Sequence, residues 1–448
     1  MWERLRSIWT VPDLRNKILF TLAILLITRI LANVTVPLTG TELTALRNLF
    51  GGSGQSNKDL GQLLGLLDVF SGGSLSTFSI VAMGVYPYIT ATIVMQLLGP
   101  IIPALQKMQA EGGEAGRLRF SQITRIVAVP LAFLQALGQT AIFVRVGVLD
   151  PATFGLFGPN WLDTLAILLS LTAGTMILVW LGELITEKGI GNGISLIIFA
   201  GIVSRIPQFI QGGITASSGS GNGGGIVSIG VFLLIGLLTI VGIVYIYLGQ
   251  RRVPVQYPTK RMVGRNLLVG SAQTTYIPMQ VNSAGMIPLI FAQSMLIFPA
   301  VLSQYLVGSN VAWLSGVSQW LASTVLNTSL LYYWIFYFGL VFAFTYFYAY
   351  VVWQQQNIPE NLQKQGAFIP GYRPGEPTSK YLGNILNRIT LAGALFLGIV
   401  AILPYFARVG GNQLLSSAAL LIVVGVVLDT VRQLEAQMVM RNYSGFLS

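Results

Sequence analysis

Long apolar runs separated by short polar stretches follow one another along this 448-residue chain. A helix that crosses a membrane needs about 20 mainly apolar residues, and the pattern predicts ten such spans. The predicted spans cover residues 18–37, 76–98, 121–146, 162–185, 193–212, 225–249, 285–306, 330–353, 387–407 and 413–431. The pattern therefore predicts an all-α, polytopic membrane protein with ten transmembrane helices.

Basic residues mark one side of the predicted bundle. Twenty of the 26 Lys and Arg residues lie on the side that holds both termini and the even-numbered loops, and five lie on the other side. Because cytoplasmic loops are enriched in Lys and Arg, both termini and the even-numbered loops are predicted to be cytoplasmic, in a multi-pass protein of the cell membrane. Two halves of five spans each would have opposite orientations, an arrangement that often places a pathway at their interface.

This topology divides the chain into successive parts. An amphipathic helix that lies on the cytoplasmic leaflet is predicted for residues 1–17, where Trp, Leu and Ile alternate with Arg. The first inverted five-helix half is then predicted at 18–212, the second at 213–431, and a cytoplasmic tail at 432–448. A central pore between the two halves is the expected architecture.

Composition restricts the function. Charged residues make up only 9% of the chain, against about 25% in soluble domains. The chain contains no cysteine and no histidine, which excludes disulfides, thiol nucleophiles, imidazole bases and His or Cys metal sites. No GxxxxGK[ST] motif of a nucleotide-driven motor occurs either. We therefore expect no enzyme, no metal and no cofactor.

Two other classes of protein remain as alternatives. An inverted-repeat secondary transporter would fit the topology, but a proton- or sodium-coupled transporter is expected to carry carboxylates at the membrane midplane. The ionisable residues within the predicted spans are mainly Arg29, Glu183 and Asp429, each within about two turns of a helix end. An intramembrane enzyme would have to work without His and Cys.

A short apolar stretch precedes the second predicted span. Residues 63–70 read LLGLLDVF, which is too short to cross a membrane. It fits either an amphipathic turn at the surface or a re-entrant half-helix inside a cavity, and the pattern alone leaves both open. The second span itself contains Gly84 and Pro87, so we expect a kink there.

Two predicted cytoplasmic loops are longer than a compact bundle requires. The first, 250–284, alternates polar and β-branched residues in a pattern typical of a β-hairpin, and it holds five basic residues and no acidic one. The second, 354–386, contains the Pro- and Gly-rich run 366–378 (GAFIPGYRPGEPT). A folded basic protrusion of this size indicates a docking surface for an acidic partner.

Several motifs together resemble the SecY family, which forms the channel of the bacterial protein translocase. The matching stretches are FSGG at 70–73, GVYPYITA at 84–91, ITEKGIGNGISLIIFAGIV at 185–203, GAFIPGYRPGEPT at 366–378 and LLIVVGVVLD at 420–429. The third and fourth are long and specific, and the matches run nearly from end to end. The resemblance implies a clamshell of two five-helix halves with an hourglass pore, through which unfolded secretory polypeptides cross and from which transmembrane segments leave sideways into the membrane.

The resemblance also implies roles for individual residues. Segment 63–71 matches the plug that closes the pore from outside, through Leu63, Leu64, Leu66, Leu67 and Phe70. The aliphatic ring of the constriction matches Val85, Ile89, Ile93, Ile198, Ile290 and Ile422. The lateral gate, between spans two and three and spans seven and eight, matches Gln96 and Phe298. The surface used by the ribosome and SecA matches Arg251, Arg252, Lys260, Arg261 and Arg373.

The implied partners follow from the same resemblance. They are small membrane subunits similar to SecE and SecG, the SecA motor ATPase, the ribosome, signal peptides and nascent chains, and membrane lipid. One departure from the family concerns the ring, because the family often has Ile-Met where this chain has Val85 and Tyr86.

Overall fold

The computed structural model describes most of the chain, and the bundle is mainly helical. The described residues are 12–36, 42, 44–46, 68, 71–99, 101–110, 113–145, 147–149, 161–218, 224–263, 267–282, 285, 287–306, 312–321, 330–356, 358–409 and 417–444. Residues 1–11 of the predicted N-terminal segment lie outside this set, and residues 12–17 belong to the first helix.

The helices follow the predicted spans closely in most places. In the first half they are α1 (Pro12–Leu31), α2 (Tyr86–Leu98), α3 (Pro103–Ala110), α4 (Gly113–Arg145), α5 (Trp161–Lys188) and α6 (Gly193–Ser218). In the second half they are α7 (Gly224–Leu248), α8 (Ile287–Leu306), α9 (Ala312–Trp320), α10 (Leu331–Gln356), α11 (Ile358–Lys364), α12 (Glu376–Val409) and α13 (Ser417–Ser444).

Within the described residues, four helices are long and apolar enough to cross a membrane. They span Leu118–Val144, Trp161–Lys188, Leu331–Lys364 and Glu376–Leu403, and they coincide with the third, fourth, eighth and ninth predicted spans. Shorter apolar helices cover Gly193–Pro207, Gly236–Leu248 and Ile287–Leu296. The chain is therefore a helical membrane protein.

The second predicted span is wrong in its first ten residues. Residues 71–85 form successive turns, and α2 begins only at Tyr86. Gly72, Gly73 and Gly84 have positive φ values of 67°, 89° and 58°, which a helix cannot accommodate. Pro87 consequently lies in the first turn of α2, where a missing N–H costs nothing, rather than at a kink within a longer helix.

The turns that precede α2 are attached to the end of α1. The Val36 N–H donates to the Phe78 carbonyl oxygen at 3.0 Å, and the Ile80 N–H donates to the Val34 carbonyl oxygen at 2.9 Å. The Thr77 hydroxyl also donates to the Ala32 carbonyl oxygen at 3.1 Å. These bonds satisfy backbone groups that a continuous helix would have satisfied internally.

The predicted hairpin in the first long loop is confirmed. Strands β1 (Gln250–Val263) and β2 (Leu267–Gln280) are antiparallel, with Gln250 opposite Gln280 and Val263 opposite Leu267. Only a short connection separates the strands, as a hairpin requires.

The two long loops fold together as one body, called here the loop unit (250–282 and 358–386). The Gln256 N–H donates to the Phe368 carbonyl oxygen at 2.9 Å, and the Phe368 N–H donates back at 3.0 Å. A shared apolar core joins β1, β2, α11, the turn after α11 and the start of α12; its buried members are Val253, Val255, Met279, Leu362, Ala367, Ile369, Leu382, Ile385 and Leu386. The loop unit is therefore a small folded domain rather than two independent loops.

The loop unit defines one end of the bundle, called here the hairpin end. Tyr247, just before β1, donates from its hydroxyl to Asp429 Oδ1 at 2.7 Å, and Leu14 and Ile190 share a small apolar cluster with the side chains of Leu434 and Met438. Arg29 lies about 22 Å further along α1 at 1.5 Å per residue. It therefore lies toward the opposite end, together with the turns at 71–78.

Candidate functional site

Five of the six residues of the predicted aliphatic ring lie in one apolar cluster, and the sixth packs against it. Val85 directly precedes α2, Ile89 and Ile93 lie on α2, and the other three lie on α6, α8 and α13. Five are buried, with relative exposures of 4% for Val85, 9% for Ile89, 3% for Ile93, 6% for Ile198 and 1% for Ile422. Ile290 is half-buried and packs against the same cluster. The structure thus brings together residues from both halves of the chain.

The fold accounts for this convergence. Positions 85, 89 and 93 are four residues apart and therefore share one face of α2. That helix contacts α8 of the second half, and α6 contacts α13. The ring residues consequently come from helices that pair across the two halves.

Polar contacts accompany the contact of α2 and α4 with α8. The Tyr86 hydroxyl donates to the Gln293 carbonyl oxygen at 3.0 Å, which joins the two halves directly. On the first-half side, the Gln135 side-chain amide of α4 donates to the Thr90 hydroxyl of α2 at 3.2 Å. Sequence reasoning noted Tyr86 only as a departure from the family pattern and missed its hydrogen bond.

Of the two residues that match the lateral gate, Gln96 has a described side chain and Phe298 does not. Gln96 is half-buried near the end of α2, and its Oε1 is buried without a hydrogen-bond partner among the described residues. Such a group costs free energy in an apolar environment, so the contact at this position is less favourable than a fully satisfied one. Phe298 lies on α8, but its side chain is outside the described residues.

The apolar plug residues also lie outside the described residues, so the structure leaves the plug prediction untested there. These residues are Leu63, Leu64, Leu66, Leu67 and Phe70. Asp68 and Ser71 of the same segment are described. Asp68 is 5% exposed, and its carboxylate forms an ion pair with Arg205 of α6.

Arg205 and Arg29 approach this segment from two helices. Arg205 Nη2 donates to the Ser76 hydroxyl at 2.8 Å, and Arg29 Nη1 of α1 donates to the Gly72 carbonyl oxygen at 2.9 Å. Sequence reasoning counted Arg205 only as a charge on the less basic side and gave Asp68 no role. The available signal was the ionisable residue inside a predicted span, since such residues are rare and commonly functional.

The basic residues of the predicted docking surface lie on the loop unit. Arg251 and Arg252 are exposed on β1, and Arg373 is exposed in the turn before α12. Lys260 and Arg261 lie further along β1, opposite Gly270 and Val269, with side chains outside the described residues. The Thr378 hydroxyl donates to the Arg373 carbonyl oxygen at 2.8 Å, which fixes the backbone beneath this exposed side chain.

Comparison with known proteins identifies the family. The SecY family model matches residues 79–431. A relative from Mycobacterium bovis, the protein translocase subunit SecY, is 41% identical over 443 residues, which cover 97% of each chain. The chain belongs to the SecY family. Because the match covers nearly the full length of both chains, the resemblance carried by the sequence motifs is confirmed.

Solved structures of the SecY fold agree with this membership. A structure of SecY whose plug domain is described as stabilising the closed state of the translocation channel has a TM-score of 0.63, with 18% identity, over 94% of this chain and 92% of that chain. Sec61 in a canine ribosome–channel complex from the endoplasmic reticulum has a TM-score of 0.58, with 17% identity, over 94% and 92%. At these identities the agreement concerns the fold.

SecY is a channel-subunit family rather than a catalytic one. Among the residues that the structure describes, no group of His, Cys, Asp and Glu could hold a metal ion. Two carboxylates inside predicted spans have partners: Glu183 pairs with Arg125 at 2.5 Å, and Asp429 accepts the hydrogen bond from Tyr247. These contacts account for both carboxylates by packing between helices.

Proposed function

We propose that this chain is the pore-forming subunit of a protein-conducting channel in the cytoplasmic membrane. The channel moves unfolded secretory polypeptides across the membrane and releases transmembrane segments sideways into the lipid. Membership of the SecY family supports this function, and so does the name of the relative from Mycobacterium bovis, a protein translocase subunit. It is a passive conduit, because the sequence contains no nucleotide-binding motif of its own.

The observation that carries the proposal is the apolar cluster that holds Val85, Ile89, Ile93, Ile198 and Ile422, with Ile290 packed against it. Aliphatic side chains give ions no ligand to replace their water, so a narrow ring of them excludes ions by dewetting. The same side chains have no fixed polar partners, so they can separate around an extended polypeptide. A ring at the junction of the two halves would therefore seal the membrane and open for the substrate.

The proposed topology has ten spans in two inverted five-helix halves, with both termini and the loop unit in the cytoplasm. The excess of basic residues on that side supports this orientation. The lateral gate would lie where α2 and α4 contact α8, with Gln96 and Phe298 along it. The segment at 63–71 would be the plug on the outer side, where Arg29 and Arg205 reach Gly72 and Asp68.

The proposed partners fall into two groups. The loop unit would dock the ribosome and the SecA motor through Arg251, Arg252, Lys260, Arg261 and Arg373, because exposed cations suit acidic RNA and protein surfaces. A ribosome is present in the related Sec61 complex. Within the membrane, subunits similar to SecE and SecG, signal peptides and lipid would contact the apolar helices.

The proposal is tested with the complex purified in mild detergent and reconstituted into liposomes. With SecA and ATP outside, a precursor that carries a signal sequence should become protected from protease, whereas the same precursor without its signal should not. A coupled transporter would instead accumulate a small solute without any partner protein. Equal protection of the precursor in liposomes with and without this chain would overturn the proposal.

A further inference from the structure

Asp68 is held by two neighbouring groups at the outer end of the proposed pore. Its Oδ1 accepts a hydrogen bond of 2.8 Å from the Ser76 N–H, and its carboxylate pairs with Arg205. The side chains are 7% and 17% exposed for Asp68 and Arg205, so water screens this pair weakly. Arg205 also donates to the Ser76 hydroxyl. One arginine of α6 therefore contacts both ends of the 68–76 segment.

The backbone at Gly72 and Gly73 is fixed as well. The Gly73 N–H donates to the Asp68 carbonyl oxygen at 2.8 Å, and Arg29 of α1 binds the Gly72 carbonyl oxygen from the other side. A Cβ on Gly72 would lie 2.5 Å from Gly201 Cα of α6, so the segment lies directly on that helix. The segment is thus attached to α1 and α6 by polar contacts and close packing together.

Two cationic side chains and one carboxylate lie at the segment. The guanidinium groups of Arg29 and Arg205 both contact it, and Asp68 pairs with Arg205. Removing one partner of a buried ion pair is strongly destabilising, because the other charge stays buried without compensation. Removing Asp68 should therefore release the segment more effectively than removing Arg205, since two guanidinium groups then remain beside the segment without that carboxylate.

We propose that Arg205 is the positioning residue that holds the 68–76 segment against α1 and α6, and that its pair with Asp68 sets how much stabilisation a signal sequence must supply before the channel opens. This inference rests on the proposed function. When the segment leaves, Arg205 loses its contacts with Asp68 and Ser76, so opening breaks a buried charge pair. A signal sequence of low hydrophobicity supplies too little free energy to offset that loss, and the closed state persists.

The test compares Asp68→Asn, Arg205→Gln and the double variant, each reconstituted as the full complex in planar bilayers. Asp68→Asn should raise the resting ion conductance about tenfold or more, and Arg205→Gln somewhat less. The double variant should leak less than Asp68→Asn, because the two groups act as a pair and their effects are not additive. Arg205→Lys, which keeps the charge, should restore much of the seal.

Export of a precursor with a weakened signal sequence gives the second readout. It should rise in both single variants, while a precursor with a strong signal is exported at an unchanged rate. The matched control is Asp163→Asn, an exposed acid at the same end of the bundle, which should change neither readout. Independent effects that simply add in the double variant would overturn the pairing.

A third measurement reports the position of the segment directly. The chain has no cysteine, so Ser71→Cys introduces a single thiol whose reaction with a membrane-impermeant maleimide can be timed. The thiol should react faster in the Arg205→Gln background than with Arg205 in place. Equal labelling rates in the two backgrounds would contradict the inference, even in a variant that folded poorly and carried no current. Deletion of 63–70 separates the two proposals. If the deletion leaks but the single variants remain sealed, only the role of Arg205 fails; if the deletion is also sealed, the proposed plug fails with it.

Discussion

The Tyr86 hydroxyl donates a 3.0 Å hydrogen bond to the Gln293 carbonyl oxygen, across 207 residues of sequence and between the two halves of the bundle. Tyr86 begins α2, one residue after Val85 of the ring. Gln293 lies on α8 and is buried, as is the neighbouring Ser294. The bond therefore lies where α2 contacts α8, which is the seam of the proposed lateral gate.

Tyr86→Phe should make this seam easier to open. The substitution keeps the ring and removes one hydrogen bond worth about 1 kcal/mol, which corresponds to about a fivefold change in the ratio of open to closed channels. Export of a precursor with a weakened signal sequence should rise by about that factor. Tyr332→Phe on the exposed face of α10 is the matched control, and an equal response from it would argue against a specific role for Tyr86.

Asn in place of Ile198 or Ile422 should raise the resting conductance of the reconstituted channel. Each substitution places a polar amide at a buried aliphatic position, where it favours water in the constriction. Ile126→Asn, on the exposed face of α4, introduces the same chemistry away from the ring and should leave conductance unchanged. Conductance that stays at the wild-type level in both ring variants would count heavily against the assignment of the pore.

Gly72→Ala should also open the channel, through packing rather than charge. The added Cβ would meet Gly201 Cα at 2.5 Å, and the φ of +67° is unfavourable for alanine by about 1 kcal/mol or more. Gly147→Ala carries a similar strain at φ +78° but meets no atom within 4 Å. When the two variants are measured side by side, only Gly72→Ala should leak. Equal leakage from both would show that backbone strain, and not contact with α6, is responsible.

Arg373→Glu should impair export driven by the SecA motor by an order of magnitude or so, while the variant still inserts into the membrane. The side chain is exposed in the loop unit, so charge reversal changes the docking surface and leaves the apolar core of that unit intact. Export in inverted vesicles and the amount of membrane-inserted protein are measured together. Lys380→Glu, exposed on α12, is the comparison for a general effect of charge.

Glu183→Gln should affect stability and leave transport unchanged. Arg125 is 43% exposed in its side chain, so the pair is partly screened and its loss should lower the free energy of unfolding by about 1 kcal/mol or less. Thermal unfolding in detergent and precursor export are the two measurements. Enzymatic turnover that Glu183→Gln abolishes would revive an intramembrane enzyme, and solute uptake by the reconstituted chain without any partner would support a transporter.

The apolar runs of the sequence predicted most of the helices because each run is about as long as a membrane-spanning helix must be. The second span failed for a specific reason: residues 76–85 are as apolar as a helix, but glycines with positive φ and bonds to 34–36 hold them in turns. Hydropathy contains no information on the sign of φ, so the predicted span begins ten residues before α2. The hairpin was predictable because alternation of residue type identifies strands locally.

Contacts between distant parts of the chain could not be predicted in the same way. Arg205 and Ser76 are 129 residues apart, and neither position carries a local pattern that identifies the other. The ring residues are ordinary aliphatic residues of membrane helices, and the family motifs alone separated them from their neighbours. The pairing of Gln256 with Phe368 likewise joins two loops that the sequence presents separately.

That pairing has a mechanical consequence. The hairpin is continuous with α7 at one end and leads to α8 at the other, while the Phe368 turn leads into α12. Because the two loops share hydrogen bonds and an apolar core, a force applied to either loop also acts on the other, and through both on the helices that they join. A large partner that binds the loop unit would therefore load these helices of the second half together rather than one at a time.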